Sequence, residues 1–150
     1  MAIVIIIILG LILDQSTKFL ALRNLGINQS IPVINNVFHL TLVTNRGAAF
    51  GMLKNYTYIF VIASVVTILF IIMHFKKQNR IKKLDLSVVS MALILSGAVG
   101  NLIDRIRFSY VVDFLDFRVW PVFNIADSLI TIGALLLAYS VLRKPKICIL

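Results

Sequence analysis

Four long apolar runs are the feature of this sequence that most constrains its fold. They cover approximately residues 2–22, 58–75, 86–106 and 123–142. A bilayer core about 30 Å thick needs roughly 20 residues of helix at about 1.5 Å of rise per residue. With 60% hydrophobic residues and a mean hydropathy of +0.99, the chain is also far more apolar than a soluble domain. We therefore predict an all-α membrane protein, a single domain over residues 1–150 folded as a four-transmembrane-helix bundle.

The basic residues predict how the bundle is oriented. They are densest between the second and third apolar runs, at residues 76–83, and again in the tail from Arg143 to Lys146. The positive-inside rule assigns both segments to the cytoplasm, which places both termini there and leaves residues 23–57 and 107–122 as outer loops. Because the charge lies where apolar runs stop, we attribute the net charge of +9 to membrane orientation and expect no nucleic-acid partner.

The first outer loop is too long to be a simple connector. Residues 37–43 alternate in the manner of a strand, and Asn35 and Asn36 before them are typical of a turn. We expect a small β element on the outer, periplasmic-side face, followed by a bend from Gly47 to Gly51 that could approach a substrate closely.

Acidic residues in so apolar a chain require an explanation, because an aspartate at the bilayer centre costs about 2.5–3.5 kcal/mol. Asp14 and Lys18 are one helical turn apart, so we interpret them as a structural ion pair that positions the outer end of the first helix. Asp104 has Arg105 beside it and Asn101 one turn before it. We interpret Asp104 as a hydrogen-bonded salt bridge that ties the top of the third helix to a loop.

Asp113 and Asp127 have no basic neighbour in the sequence; Asp113 lies in the last outer loop, and Asp127 lies at the start of the fourth apolar run. If the third and fourth helices form an antiparallel hairpin, these two carboxylates face each other. Two carboxylates at close range share a proton near neutral pH, because they cannot both ionise easily. The ionised one can take a proton from water while the protonated one donates to a carbonyl oxygen. This pair therefore predicts peptide hydrolysis without a metal or a covalent intermediate.

Five blocks of polar residues occur in order along the chain. They are Asp14-Gln15-x-x-Lys18, Thr44-Asn45-Arg46-Gly47-Ala48-Ala49-Phe50-Gly51, Gly100-Asn101-x-x-Asp104-Arg105, Val112-Asp113-Phe114 and Phe123-Asn124-x-Ala126-Asp127-Ser128. Together they resemble the lipoprotein signal peptidase (signal peptidase II) family over essentially the whole chain. The resemblance implies an aspartic endopeptidase of the bacterial inner membrane that removes signal peptides from diacylglyceryl-modified prolipoproteins, cutting before the lipidated cysteine.

The same resemblance implies roles for individual residues. The family's catalytic pair falls on Asp113 and Asp127. Its substrate-binding or supporting residues fall on Asn45, Asn101, Asp104, Arg105, Asn124 and Ala126. The resemblance further implies no cofactor, contact with membrane lipid, inhibition by globomycin-type compounds and an active site near the outer leaflet. We expect a monomer. The link between Phe117 and Phe123 is shorter than in many members of the family.

Other classes of function remain open from the residues alone. A transporter or proton relay predicts acids near the membrane midplane, whereas these lie toward one face. A divalent-metal site could be built from Asp104, Asp113, Asp116 and Asp127, since Mg²⁺ prefers oxygen ligands. An extended segment at residues 111–117 would turn Asp113 and Asp116 to opposite faces, so we expect no metal. A scaffold role would leave the aspartates unexplained.

Overall fold

The structure is a computed structural model, and it describes residues 1–47, 57–77 and 84–143. These residues form four long helices and three short strands. In chain order these elements are α1 (Ala2–Asn24), β1 (Ser30–Ile34), β2 (Phe38–Asn45), α2 (Thr57–Lys77), α3 (Leu86–Phe108), β3 (Val111–Asp116) and α4 (Ile125–Arg143).

All four helices are long and apolar enough to cross a membrane, which confirms the predicted fold class. Helix α3 is the centre of the bundle, because it packs against the three other helices and has the largest buried surface. The outward faces of α1, α2 and α4 expose large aliphatic side chains, as lipid-facing helices do. Polar residues of α3 instead turn inward, where Ser90, Ser96, Asn101 and Asp104 are buried.

Helices α3 and α4 approach each other closely because glycines remove side chains from their interface. A Cβ atom on Gly97 would collide with the backbone oxygen of Ala126, and one on Gly133 would lie 2.7 Å from the backbone oxygen of Ser90. This close packing holds the start of α4 against the C-terminal half of α3, beside Asn101 and Asp104.

The predicted β element is an antiparallel sheet of three strands in the order β1-β2-β3. Strand β2 contains most of the alternating segment, and the turn before it includes Asn36 at a φ of 61°, a left-handed conformation that asparagine tolerates. Strand β1 was not predicted, and β3 was considered only as an extended segment at residues 111–117, without a place in a sheet. β1 is a fully exposed edge strand that contains Pro32, and edge strands are where proline is tolerated in sheets.

One face of the sheet packs on the C-terminal end of α1. Its core comprises Ala21, Leu25, Leu42, Val112 and Phe114. Since alternate residues of a strand point to opposite faces, burying Val112 and Phe114 against α1 turns Asp113 the other way. The fold thus directs Asp113 toward the start of α4.

Candidate active site

Asp113 is placed by the pairing of β3 with β2. Its Cα lies opposite that of Val43, and its side chain is almost fully buried, at 1% exposure. Two side-chain amides donate to its carboxylate: Asn45 from β2 to Oδ2 at 2.8 Å, and Asn124 to Oδ1 at 2.6 Å. Both oxygens of this buried carboxylate therefore have a fixed donor.

Asn124 connects Asp113 to the helix that carries Asp127. Its Oδ1 accepts a hydrogen bond from the backbone N–H of Asp127 at 2.8 Å, which caps the N-terminus of α4. Its Nδ2 donates to Asp113 Oδ1 and is also within 3.2 Å of Oδ1 of Asn101 and 3.3 Å of the backbone oxygen of Val112. One buried amide thus fixes both the carboxylate of β3 and the first turn of α4.

Asp127 lies in that first turn and is partly exposed. Its Oδ1 accepts a hydrogen bond from Nδ2 of Asn101 on α3 at 2.8 Å. The structure therefore brings together both aspartates of the predicted dyad and three of the predicted supporting asparagines, Asn45, Asn101 and Asn124.

The environment of Asp113 favours its protonated form. Burial raises the pKa of Asp113 to about 7, and the negative charge of Asp127 acts in the same direction. The amides of Asn45 and Asn124 and the charge of Lys18 oppose that rise, because they stabilise the carboxylate. A carboxyl group with this pKa can either hold or release a proton near neutral pH.

A second cluster of charged side chains lies beneath these aspartates. Asp14 and Lys18 form the expected i,i+4 ion pair, 3.0 Å apart, and both are buried. Lys18 also pairs with Asp104 at 2.9 Å, so Asp104 has Lys18 of α1 as its ion-pair partner where the sequence indicated Arg105. The reason is geometric: neighbouring residues on a helix point in different directions, and Asp104 faces inward. Asp104 Oδ2 also accepts from the backbone N–H of Val112 at 3.1 Å, which ties the end of α3 to β3.

Arg105 lies at the edge of the site instead. Its guanidinium group stacks over the ring of Phe60 on α2, 5.3 Å from the ring centroid. Together with Asn101 and Asp127 it lines a cavity of about 250 Å³ between α2, α3 and α4. Ala126 is fully buried, and its backbone N–H donates to Asp14 Oδ1 at 2.9 Å.

Asp127 also borders two further cavities. One, of about 410 Å³, runs along α4 beneath the aromatic rings of Phe117, Trp120 and Phe123. The other, of about 270 Å³, lies between Asn45, Arg105 and the segment at residues 120–123. The Asp127 carboxylate thus borders three cavities, of which those along α4 and between the helices have mostly apolar walls.

Sequence reasoning gave Gln15 no role, although the residue lies in the first polar block. Its Nε2 is 3.0 Å from Asp14 Oδ2, 3.2 Å from the backbone oxygen of Gly100 and 3.2 Å from Asp104 Oδ1. A polar residue next to Asp14 in an apolar helix was the available signal.

Gly47, at the start of the predicted bend, donates its N–H to Asn45 Oδ1 at 3.0 Å. Residues 48–51 of that bend lie outside the described residues.

Asp116, one of the four residues considered for a metal site, is directed elsewhere. It accepts from Thr41 Oγ1 at 2.7 Å and pairs with Arg118 at 3.1 Å, whereas Asp113 binds Asn45 and Asn124. Within residues 1–47, 57–77 and 84–143, no three acidic, histidine or cysteine side chains are arranged to hold a metal ion.

Four membrane-spanning helices around a buried acidic centre define a multi-pass membrane protein with an enzyme-like site. Residues 6–143 match the family model for signal peptidase (SPase) II. The lipoprotein signal peptidase of Halothermothrix orenii is 48% identical over 143 residues, which is 95% of this chain and 97% of that protein. The lipoprotein signal peptidase of Clostridioides difficile is 47% identical over 141 residues, covering 93% of each.

Two solved structures of bacterial membrane enzymes, determined by the in meso method at 2.3 Å and 1.9 Å, share the fold. Their TM-scores are 0.86 and 0.84, and each is 32% identical to this chain. The matches cover 94% and 95% of this chain and 87% and 94% of those chains. The chain belongs to the signal peptidase II family, which confirms the resemblance carried by its polar blocks and makes it a bacterial membrane peptidase.

Proposed function

We propose that this protein is an aspartic endopeptidase that removes signal peptides from diacylglyceryl-modified prolipoproteins and cuts before the lipidated cysteine. The substrate class is supported by the name lipoprotein signal peptidase, which its relatives bear. The mechanism rests on one observation: Asn124 donates to the carboxylate of Asp113 and caps the helix turn that carries Asp127. No cofactor enters the proposed reaction.

The two carboxyl groups act as a pair that shares one proton. The ionised carboxyl takes a proton from a water molecule as the water oxygen attacks the carbonyl carbon of the scissile bond. The protonated carboxyl gives its proton to the carbonyl oxygen, which yields a tetrahedral diol. When that diol collapses, the carboxyl that took the water proton gives it to the peptide nitrogen, the other carboxylate takes a proton from a diol hydroxyl, and the C–N bond breaks. The products are an amine and a carboxylic acid, and the pair ends with one proton again.

The asparagines hold the two carboxyl groups in fixed orientations during these proton transfers. Asn45 and Asn124 hold Asp113, and Asn101 holds Asp127, so neither carboxylate has to reorient between the two proton transfers. Arg105, beside the cavity next to Asp127, is positioned to bind a substrate carbonyl. The bend that starts at Gly47 is a candidate clamp over the scissile bond.

The apolar walls around Asp127 suit a substrate that arrives through lipid. A signal peptide is an apolar helix, and the diacylglyceryl group on the cysteine carries two acyl chains. Both can enter sideways from the outer leaflet into cavities lined by α2, α4 and the aromatic side chains of Phe117, Trp120 and Phe123. Membrane lipid is therefore a direct partner of the exposed aliphatic faces.

The proposed location is the bacterial cytoplasmic (inner) membrane. Asp113 and the start of α4 lie at the opposite end of the bundle from Lys76 and Lys77 at the end of α2. With the basic end in the cytoplasm, both termini are cytoplasmic and the active site is near the outer leaflet. We expect the monomer to be active, because both aspartates and their asparagine donors come from one chain.

The experiment that tests this function compares two forms of one substrate. Purified protein is incubated with a prolipoprotein with and without its diacylglyceryl group, and the products are identified by mass spectrometry. We expect cleavage immediately before the modified cysteine, little cleavage of the unmodified form, and inhibition by globomycin. Equal cleavage of both forms would contradict the proposed specificity, and cleavage of neither would contradict the proposed activity.

A further inference from the structure

Lys18 of α1 occupies an unusual position for a structural ion-pair residue. It is only 2% exposed, and its ammonium group is within hydrogen-bond distance of three acceptors. These are Asp14 Oδ2 at 3.0 Å, Asp104 Oδ2 at 2.9 Å and Asn101 Oδ1 at 3.0 Å. An ammonium group has three N–H donors and no acceptor, so these contacts use its whole donor capacity.

The third contact determines the orientation of the Asn101 amide. Because Lys18 can only donate, the amide atom that faces it has to be the oxygen. The NH₂ group of Asn101 then points the other way, and it donates to Asp127 Oδ1 at 2.8 Å. An amide flipped by 180° would present its NH₂ to the ammonium group and its oxygen to the carboxylate, and both contacts would be repulsive.

Asp14 reaches the same helix turn by a second route. Its Oδ1 accepts from the backbone N–H of Ala126, the residue before Asp127, at 2.9 Å. This contact satisfies one of the free N–H groups at the start of α4. Gly100 makes the approach possible, since a Cβ atom there would collide with the Asp14 carboxylate. Asp14 and Asn124 therefore cap adjacent N–H groups in the turn that carries Asp127.

We propose that Asp14 and Lys18 are positioning residues for the reaction, which orient Asp127 from α1 through the backbone of α4 and through the amide of Asn101. This inference rests on the proposed aspartic mechanism and extends it beyond the dyad. Asp14 and Lys18 would then affect the rate of turnover, which a purely structural ion pair would not do. The distinction can be measured, because misplacing a reactive group lowers kcat, whereas a structural defect lowers only the amount of folded protein.

Ser96 provides a matched control for this proposal. It is fully buried on α3, and its hydroxyl donates to the backbone oxygen of Ile7 on α1 at 3.1 Å. It thus joins the same two helices as Lys18, but its hydrogen bond goes to a backbone oxygen of α1 and not to Asn101, which holds Asp127. Ser96→Ala should lower the melting temperature and leave kcat per folded molecule and the pH profile unchanged.

The test compares Lys18→Met with Ser96→Ala, using a diacylglyceryl-modified prolipoprotein as substrate. For Lys18→Met we expect kcat per folded molecule to fall about 10²-fold with KM within about threefold of wild type. The groups that act on Asp113 are Asp127 of α4, Asn45 of β2, Asn124 and Lys18, and the charge of Lys18 lowers the pKa of Asp113. Its removal should therefore raise the pKa of Asp113 and move the alkaline limb of the activity profile, where the pair loses its shared proton, to higher pH.

A second variant covers the case in which Lys18→Met does not fold. Asp14→Asn combined with Lys18→Met removes one anion and one cation, so the net charge of the buried cluster is unchanged. The amide oxygen of the new asparagine can still accept from the N–H of Ala126. The oxygen of Asn101 loses the donor that Lys18 supplies and keeps Nδ2 of Asn124 at 3.2 Å. The same fall in kcat is expected, with a smaller shift in the pH profile, because the lost anion of Asp14 offsets the lost cation of Lys18.

Three results would overturn the inference. In the first, Lys18→Met and Ser96→Ala have the same kcat per folded molecule and the same pH profile, while Asp113→Asn and Asp127→Asn are inactive. The proposed function would then stand, and this inference alone would fail. In the second, both lysine variants fail to fold while Ser96→Ala folds, which would make the role of Lys18 purely structural. In the third, wild type is inactive or the dyad variants are active, which would refute the proposed function together with this inference.

Discussion

The Nδ2 atom of Asn124 lies 2.6 Å from Oδ1 of Asp113, a short hydrogen bond between two buried side chains from different elements. The oxygen of the same amide accepts the N–H of Asp127 at 2.8 Å. Because one planar group makes both contacts, the position of one dyad residue depends on that of the other. Asn124 therefore couples the positions of the two acids, which are not placed independently.

Asn124→Ala should lower activity more than it lowers stability. The substitution removes a cap from α4, which costs about 1 kcal/mol, and leaves Asp113 with Asn45 as its one side-chain amide donor. We expect kcat to fall about 10²-fold or more, because both carboxylates lose their common restraint. Activity per folded molecule, with folding measured by thermal melting in detergent, checks this. A fall in activity that only follows the loss of folded protein would contradict the role of Asn124 in positioning the two carboxylates.

The stability of the protein should decline as pH rises because of Asp113. Burial raises the pKa of Asp113 from 3.8 to about 7, so between these values the folded state holds a proton that the unfolded state has lost. Stability from this group is therefore complete below about pH 4 and is lost as pH rises through 7. Asp113→Asn removes the effect and should be more stable than wild type at pH 8, by on the order of a few kcal/mol.

Melting temperatures of wild type and Asp113→Asn at pH 5 and pH 8 measure this difference. The variant should show the smaller change between the two pH values. Parallel changes in both proteins would mean that Asp113 does not titrate as its surroundings imply. Asp116→Asn is the control, because Asp116 lies on the same strand but binds Thr41 and Arg118.

Gly100→Ala should destabilise the protein and reduce turnover. A Cβ atom at Gly100 would collide with the carboxylate of Asp14, which in turn holds the N–H of Ala126. Overpacking of this kind typically costs about 1–3 kcal/mol. Gly26→Ala is a matched control, since its Cβ atom would meet only the flexible end of Gln29 at 3.3 Å. Equal melting temperatures and equal kcat for the two variants would contradict the close approach of α1 and α3.

Chelation should leave activity unchanged. The proposed reaction uses two carboxylates and water, so EDTA should not slow cleavage and added Mg²⁺ should not accelerate it. The alternative that the sequence left open, a metal site involving Asp104, Asp113, Asp116 and Asp127, predicts loss of activity on chelation and recovery with Mg²⁺. Initial rates in the presence of EDTA, then with excess Mg²⁺, separate these two mechanisms.

The sequence predicted the helices well because membrane spans are encoded locally. Each span is a run of apolar residues whose length must match the bilayer, so hydropathy alone locates it. Strand β3 is different, because Val111–Asp116 does not alternate and is extended through its pairing with β2, some seventy residues earlier. The same limitation explains why Arg105 was taken as the ion-pair partner of Asp104. A sequence shows only which residues are neighbours along the chain, whereas the partner of Asp104 in the structure, Lys18, comes from another helix.

The sequence singled out Asp113 and Asp127 for a physical reason that applies to few other residues here. Unpaired carboxylates are expensive near lipid, so Asp113 and Asp127 stood out in an apolar context. The network around them was not predictable in the same way. Gln15 and Gly100 act through contacts with Asp14 and Asp104, which only the packing of α1 against α3 creates.

The most direct test of the central claim is the turnover of Asp113→Asn and Asp127→Asn on a diacylglyceryl-modified prolipoprotein, with Asp116→Asn as the control for loss of an acid on the same strand. The account predicts that each of the first two variants folds, inserts into the membrane and has no measurable kcat, while the third cleaves at close to the wild-type rate. Cleavage at the wild-type rate by either Asp113→Asn or Asp127→Asn would contradict it.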